Sequence, residues 1–88
     1  NFYYDNQWVR EPHQTIGWND TPPDPRWRPL SDLLREAYRR YRRPIVISET
    51  SHPGIDRPIW MRYVARECAE ALRRKVPLWG VCLYPIID

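Results

Sequence analysis

The chain has 88 residues, which limits it to one domain with a small core. Fourteen Lys and Arg against 11 Asp and Glu give a formal net charge of +3, too small to require a nucleic-acid partner, and no apolar stretch approaches the ~20 residues of a membrane span. Five Trp and six Tyr are many for this length and are typical of packed cores and of clefts that bind ligands.

The first third of the chain predicts one strand and one long loop. Phe2, Tyr3 and Tyr4 are aromatic residues that favour a strand, and the polar residues after them favour its end, so we expect a first strand over residues 1–6. Residues 9–30 are rich in proline and show no hydrophobic period. We expect a long loop there, packed through its tryptophans.

A helix and a buried strand are expected after the loop. Apolar residues recur at helical spacing after Ser31, which is the expected N-cap. The helix should end in a run of arginines before Pro44, because cations favour the negative end of the helix dipole and proline cannot continue a helix. The apolar run that follows predicts a strand over residues 45–48, buried on both faces.

The last part of the chain predicts a second helix and a third strand. Asp56 is the expected N-cap, Pro58 fits the first turn, and one apolar stripe continues to the helix end before Pro77. Residues 78–87 are expected to form the third strand. Helices between consecutive buried strands predict right-handed crossovers and a parallel sheet, so the fold class is α/β.

Polar side chains collect where the predicted strands end. Glu49 directly follows the central strand and has Ser48, Thr50, Ser51 and His52 beside it in the sequence. A carboxylate at the end of a buried strand needs a dedicated partner or faces a cleft, and ligands of parallel α/β folds bind at this edge of the sheet. We therefore expect Glu49 to belong to a functional site. A structural ion pair with an arginine elsewhere in the protein is the alternative interpretation.

Several other kinds of site receive no support from the sequence. His13 and His52 have no partners at ligand spacing, so no metal is expected. Cys68 and Cys82 match neither a disulfide framework nor a metal site and are expected to be buried thiols. No glycine-rich turn follows a strand, so no dinucleotide cofactor is expected. The arginines of residues 39–43 are expected to be a solvated helix end rather than a nucleic-acid surface.

Three segments resemble family 1 glycoside hydrolases, which include β-glucosidases, 6-phospho-β-glucosidases and β-galactosidases. Residues 47–51, ISETS, resemble the end of strand seven, where that family has its nucleophilic glutamate. Residues 1–4, NFYY, resemble the sixth-strand segment, and residues 80–88, GVCLYPIID, are similar to the eighth-strand segment. The chain departs from the family by Thr-Ser in place of Asn-Gly after the glutamate, and by Tyr-Pro in place of Trp-Ser in the last segment.

The resemblance implies that residues 1–88 belong to a single (β/α)8 TIM barrel, as strands six to eight with helices six and seven, and that they are a piece of a longer chain. It further implies a retaining β-glycosidase in which Glu49 is the nucleophile, with Asn1 and Tyr3 beside it and Tyr3 orienting it. The acid/base glutamate of such enzymes follows an asparagine on the fourth strand, which this chain does not contain. We therefore expect the 88 residues alone to be inactive.

The expected partners are a carbohydrate substrate and the remainder of the barrel, without a cofactor, a nucleic acid or a membrane. Asn1, Asn6 and Gln7 carry amides that can bond sugar hydroxyls. Trp8 offers an aromatic face for the C–H surface of a sugar, and Tyr84 occupies the position where the resembling family has a tryptophan under the sugar.

Two alternatives stay open at this point. One is a catalytically inactive carbohydrate-binding or structural barrel, alone or fused to a sugar-nucleotide enzyme. The other is a basic fragment that associates with RNA, which would require binding with a steep salt dependence. The cellular location is open as well, with the cytoplasm as the expectation.

Overall fold

The structure is a computed structural model that describes residues 1–10, 14–52 and 54–83. The described residues form a small α/β arrangement of short strands and two α-helices. In chain order the elements are β1 (Trp8–Val9), β2 (Gln14–Thr15), α1 (Leu30–Tyr41), β3 (Ile45–Thr50), a 3-10 turn (Gly54–Asp56), α2 (Arg57–Arg73) and β4 (Leu78–Leu83).

β3 and β4 pair in parallel and are joined by α2, which confirms the predicted crossover. Ile45 pairs with Leu78 and Ile47 with Val81, and the register shifts on either side of the central pairs. β3 continues to Thr50, two residues beyond its predicted end. Glu49 is therefore the second-last residue of β3 and does not lie in the loop after the strand.

The predicted burial of the central strand on both faces is wrong. Ile47 is buried at 4% exposure, whereas Val46 is 52% exposed. The helices cover one face of the two-stranded sheet, so alternate residues of β3 face away from them. Trp79 on β4 is 75% exposed for the same reason, and Cys82 is exposed rather than buried.

α1 begins two residues earlier than predicted, and Ser31 is not its N-cap. Pro29 holds the N-cap position and supplies no side-chain bond. The Ser31 backbone N–H and hydroxyl both donate to Glu67 Oε1, at 3.1 and 2.9 Å. A carboxylate of α2 thus satisfies the first turn of α1, which favours negative charge at that end. This bond also fixes the two helices against each other.

α2 follows Asp56, which occupies the predicted N-cap position without a side-chain cap bond. In its last turns Glu70 accepts bonds from Arg73 and Arg74. These guanidinium groups, Arg73 first, lower the pKa of Glu70 to about 2. Arg74 also bonds Asp32 at 2.6 Å, which adds a second link between α2 and α1.

The predicted first strand over residues 1–6 is wrong, because these residues form an extended segment closed by a turn. The Asn6 side chain accepts from the Tyr3 N–H at 2.7 Å, and the Asn6 N–H donates to the Tyr3 carbonyl at 3.2 Å. The predicted long loop contains a short antiparallel pair, in which Trp8 of β1 pairs with Thr15 of β2. Asparagine at this position has therefore turned the chain before a strand forms.

Trp60 of α2 is the centre of the core and is fully buried. Phe2, Trp18 and Tyr63 pack around its ring with centroid distances of 5.5, 5.0 and 5.4 Å. The N-terminal segment, the proline-rich segment and α2 therefore share one aromatic core. Aliphatic residues from α1, β3, α2 and the segment after α2 complete it, namely Leu30, Leu34, Ile47, Val64, Ala71 and Val76.

Candidate functional site

Glu49 lies at the carboxyl end of β3 and receives two side-chain hydrogen bonds on the same oxygen. Asn1 Nδ2 donates to Glu49 Oε2 at 2.9 Å, and Tyr3 Oη donates to it at 3.4 Å. Both donors come from the segment before β1, so residues 46 and 48 positions apart in sequence meet here. We call Asn1, Tyr3, Ser48 and Glu49 the Glu49 cluster.

Ser48 orients the amide of Asn1. Its hydroxyl donates to Asn1 Oδ1 at 2.6 Å, which leaves the amide nitrogen directed at Glu49. An amide whose oxygen is occupied by a donor presents its N–H groups on the other side. Ser48 therefore acts on Glu49 through Asn1, although it is the neighbour of Glu49 in the chain.

The backbone also joins the two segments of the cluster. The Phe2 N–H donates to the Glu49 carbonyl oxygen at 2.9 Å, and the Phe2 ring is buried against Trp60. This anchor brings the N-terminal segment alongside β3, so that Asn1 and Tyr3 reach the Glu49 carboxylate from either side of Phe2. Backbone pairing and core packing thus hold a partly exposed charge cluster in place.

Hydrogen bonds from two side chains to one oxygen of a carboxylate restrict its rotamers. In the part of the chain that the structure describes, Asn1 and Tyr3 both donate to Oε2 of Glu49. Neither donor bonds Oε1, the other oxygen of the carboxylate.

The amides of Asn6 and Gln7 do not contact Glu49. Asn6 closes the turn with Tyr3, while the Gln7 amide forms two bonds of 2.7 Å with the backbone N–H and carbonyl of Arg28. Gln7 therefore holds the proline-rich segment in place with both of its amide atoms. To bond a sugar hydroxyl as predicted, the Gln7 amide would have to break at least one of its bonds to Arg28.

Trp8 lies in β1 and is 53% exposed. It lines a cavity of about 580 Å³ together with Asn1, Asn6 and Gln7, and this cavity also has an apolar wall formed by Leu33, Leu34, Ile45, Val46 and Ile47. Glu49 and Tyr3 are not among the lining residues, so the cavity adjoins the Glu49 cluster at Asn1 rather than enclosing it. The predicted sugar-facing Tyr84 lies outside the described residues.

An aromatic group next to the cluster was missed by the sequence analysis. The His52 ring lies 4.0 Å from the ring of Tyr4 and 5.7 Å from Trp18, measured between centroids. The Thr50 hydroxyl accepts from the Trp60 indole at 3.2 Å. The signal available in the sequence was the polar run after Glu49, but it gave no indication of which residues pack against that run.

The described residues contain neither a metal-ion cluster nor a membrane-spanning helix. Among them, no group of three His, Cys, Asp or Glu side chains is arranged to hold a metal ion. No helix of this part of the chain is both long enough and apolar enough to cross a membrane.

Comparison with protein families, with curated proteins and with solved structures finds no match for this chain. The geometry of the Glu49 cluster therefore carries the functional argument.

Proposed function

We propose that this chain carries the nucleophile half of the active site of a retaining β-glycosidase, with Glu49 as the nucleophile. The observation that carries this proposal is the pair of donors, Asn1 and Tyr3, on one oxygen of a carboxylate at the end of a parallel strand. The same three residues are those that the resemblance to family 1 glycoside hydrolases assigns to the nucleophile and its neighbours.

In this proposal Glu49 Oε1 attacks the anomeric carbon of a β-glycoside. The bond to the leaving oxygen breaks as the new carbon–oxygen bond forms, which gives an α-linked glycosyl ester and a free alcohol. The alcohol takes its proton from a second carboxylic acid about 5 to 5.5 Å from Glu49. That residue then removes a proton from water, which attacks the ester and releases the sugar with retained configuration.

Asn1 and Tyr3 act together on Glu49 in both steps. Their hydrogen bonds to Oε2 hold the carboxylate in one orientation and aim Oε1 at the substrate. When the ester forms, the negative charge on the carboxylate is lost, so both bonds weaken; they strengthen again as the carboxylate leaves. The donors therefore favour release of the sugar at the second step.

The barrel part of the proposal is supported by the cavity beside β3. Its wall combines the β3 residues Ile45, Val46 and Ile47 with leucines of α1, and Asn1 lies at one end. Asn1 and Phe2 run beside the end of β3, so a segment preceding them in the same direction would enter this cavity. We propose that the part of strand six preceding Asn1 lies there and that the second carboxylic acid comes from another strand of the same protein.

The test uses the full-length protein that contains this chain and an aryl β-glycoside with a good leaving group. Glu49→Gly is expected to remove nearly all hydrolysis, because no neutral residue can form the glycosyl ester. Azide, which fits the space of the lost side chain, should restore cleavage and give the α-glycosyl azide. Glu36→Gln is the matched control, since Glu36 is an exposed carboxylate of α1 bonded to Arg28.

Four outcomes would contradict the proposal. Wild-type turnover in Glu49→Gly, or a β-glycosyl azide from the rescued variant, would mean that another group is the nucleophile. Release of the sugar with inverted configuration by the unmutated protein would exclude a glycosyl ester. Sugar binding without turnover in the unmutated protein would favour an inactive carbohydrate-binding barrel.

A further inference from the structure

Trp60 contacts both of the chain segments that meet in the Glu49 cluster. Its indole N–H donates to the hydroxyl of Thr50, the residue that follows Glu49 at the end of β3. Its ring packs against the ring of Phe2, which lies between the two donors of the cluster. One side chain of α2 therefore touches the strand that carries the carboxylate and the segment that carries its hydrogen-bond donors.

The contacts of Trp60 leave it little freedom to move. Trp60 and Thr50 both have 0% exposure, so their hydrogen bond is closed to water and costly to leave unmade. Tyr63 stacks on the Trp60 indole, and Trp18 meets it edge-on. A close-packed ring of this kind transmits a change at one contact to the others.

The geometry of the cluster is sensitive to small shifts. Tyr3 Oη lies 3.4 Å from Glu49 Oε2, which is near the upper limit for a hydrogen bond. A displacement of a few tenths of an ångström between the two segments would break this contact or shorten it to an ordinary length. The separation of the two segments is therefore the quantity that a supporting residue would have to control.

We propose that the Trp60–Thr50 hydrogen bond is a positioning device that sets the separation between Glu49 and its donors. This inference rests on the proposed function, since the carboxylate it positions is the proposed nucleophile. The Trp60 ring packs against Phe2, and its N–H donates to Thr50. Trp60 therefore holds the segment that carries the donors and the strand that carries Glu49. Neither Trp60 nor Thr50 touches the substrate in this role.

The kinetic test compares two variants in the full-length protein, one for each partner of the hydrogen bond. Thr50→Val removes the acceptor, and Trp60→Phe removes the donor but keeps an aromatic ring. In both variants, kcat for an activated β-glycoside is expected to fall about tenfold, which corresponds to about 1.36 kcal/mol of activation free energy. KM is expected to change little. Thr50→Ser keeps the hydroxyl and is expected to restore kcat.

Trp27→Phe is the matched control for the loss of an indole N–H from the same core. Trp27 Nε1 donates to the Tyr63 hydroxyl at 3.1 Å, whereas Thr50 accepts from Trp60. This variant is expected to keep kcat within about twofold of wild type, which is below 0.5 kcal/mol. A loss of kcat in Trp27→Phe equal to that in Trp60→Phe would assign the effect to general packing and overturn the inference. A loss of kcat in Thr50→Ser equal to that in Thr50→Val would do the same.

A second measurement separates this inference from the proposed function. The side-chain amide signal of Asn1, observed by NMR after ¹⁵N-asparagine labelling, reports its bond to Glu49 without any turnover. It is expected to shift in Thr50→Val and Trp60→Phe and to stay in place in Trp27→Phe. An unchanged signal in both variants overturns the positioning role, whereas an unmutated protein without hydrolysis overturns the proposed function alone.

Discussion

Residues 1–29 and residues 30–83 are stabilised by different kinds of interaction. The later region consists mainly of α1, β3, α2 and β4, in which backbone hydrogen bonds repeat at regular spacing. In the described part of the earlier region, residues 1–10 and 14–29, one antiparallel pair of two-residue strands forms, and side chains make many of the bonds to the backbone. The first region is therefore held chiefly by its contacts with the second.

The Glu49 cluster lies where these two regions meet. The regular region supplies the carboxylate from the end of β3, and the irregular region supplies the donors Asn1 and Tyr3. Local opening is easiest where regular backbone bonding is sparse, so we expect the donors to be lost before the strand that carries Glu49 unfolds. The comparison predicts that activity is more sensitive than global stability to changes in residues 1–29.

The largest effect that separates the two regions is expected from Tyr3→Phe. This change removes the hydroxyl that bonds Glu49 and keeps the ring, so it should cost about 1.5 to 3 kcal/mol of transition-state stabilisation with little change in melting temperature. Pre-steady-state rates of glycosylation and deglycosylation measure it. Tyr4→Phe is the control, because the Tyr4 ring packs on His52. If both rates are unchanged in Tyr3→Phe, Tyr3 serves packing alone.

A smaller effect is expected from Gln7→Ala, which tests how the first region is held. The change removes both amide bonds to the Arg28 backbone, and because the site is exposed we expect about 1 kcal/mol of local destabilisation. Hydrogen exchange should speed up at the Arg28 amide and stay constant within α2. Gln14→Ala, at an exposed position of β2, is the control. Equal acceleration in α2 would mean that the two regions open together.

The smallest effect is expected from the ion pairs that close the second region. Arg73 and Arg74 lower the pKa of Glu70 from 4.5 to about 2, so this carboxylate stabilises the fold above pH 4.5 and loses that contribution as the pH falls towards 2. Between pH 6 and pH 3, the melting temperature of wild type should therefore fall more than that of Glu70→Gln. Asp5→Asn should follow wild type, and a parallel fall in all three proteins would exclude a role for Glu70.

The sequence predicted the regular region because its signals are local. The arginine run before Pro44 and the apolar stripe of α2 depend on residues a few positions apart, and both helices and the parallel pairing are confirmed. The N-cap assigned to Ser31 failed because its partner is Glu67, 36 residues away. The prediction that β3 is buried on both faces was wrong because the described sheet is covered on one face only, and Val46 is half exposed.

The irregular region was predicted less well, for a related reason. Aromatic residues at positions 2–4 favour a strand by propensity, but Phe2 is used in the core and Asn6 turns the chain. The proximity of Asn1, Tyr3 and Glu49 was expected from the resemblance and is found, while their catalytic role stays a prediction. Nothing in the sequence indicated the hydrogen bonds between Gln7 and Arg28, because they involve the backbone N–H and carbonyl, which nearly every residue has.

Covalent trapping tests the nucleophile most directly. A 2-deoxy-2-fluoro β-glycoside with a dinitrophenolate leaving group needs no acid for its first step and slows the second, so the glycosyl ester accumulates. After incubation of the full-length protein and proteolysis, mass spectrometry should find the fluorosugar on the peptide that contains Glu49, with fragmentation placing it on that residue. A label on a different carboxylate, or hydrolysis of the unfluorinated glycoside without any label forming, would contradict the assignment of Glu49.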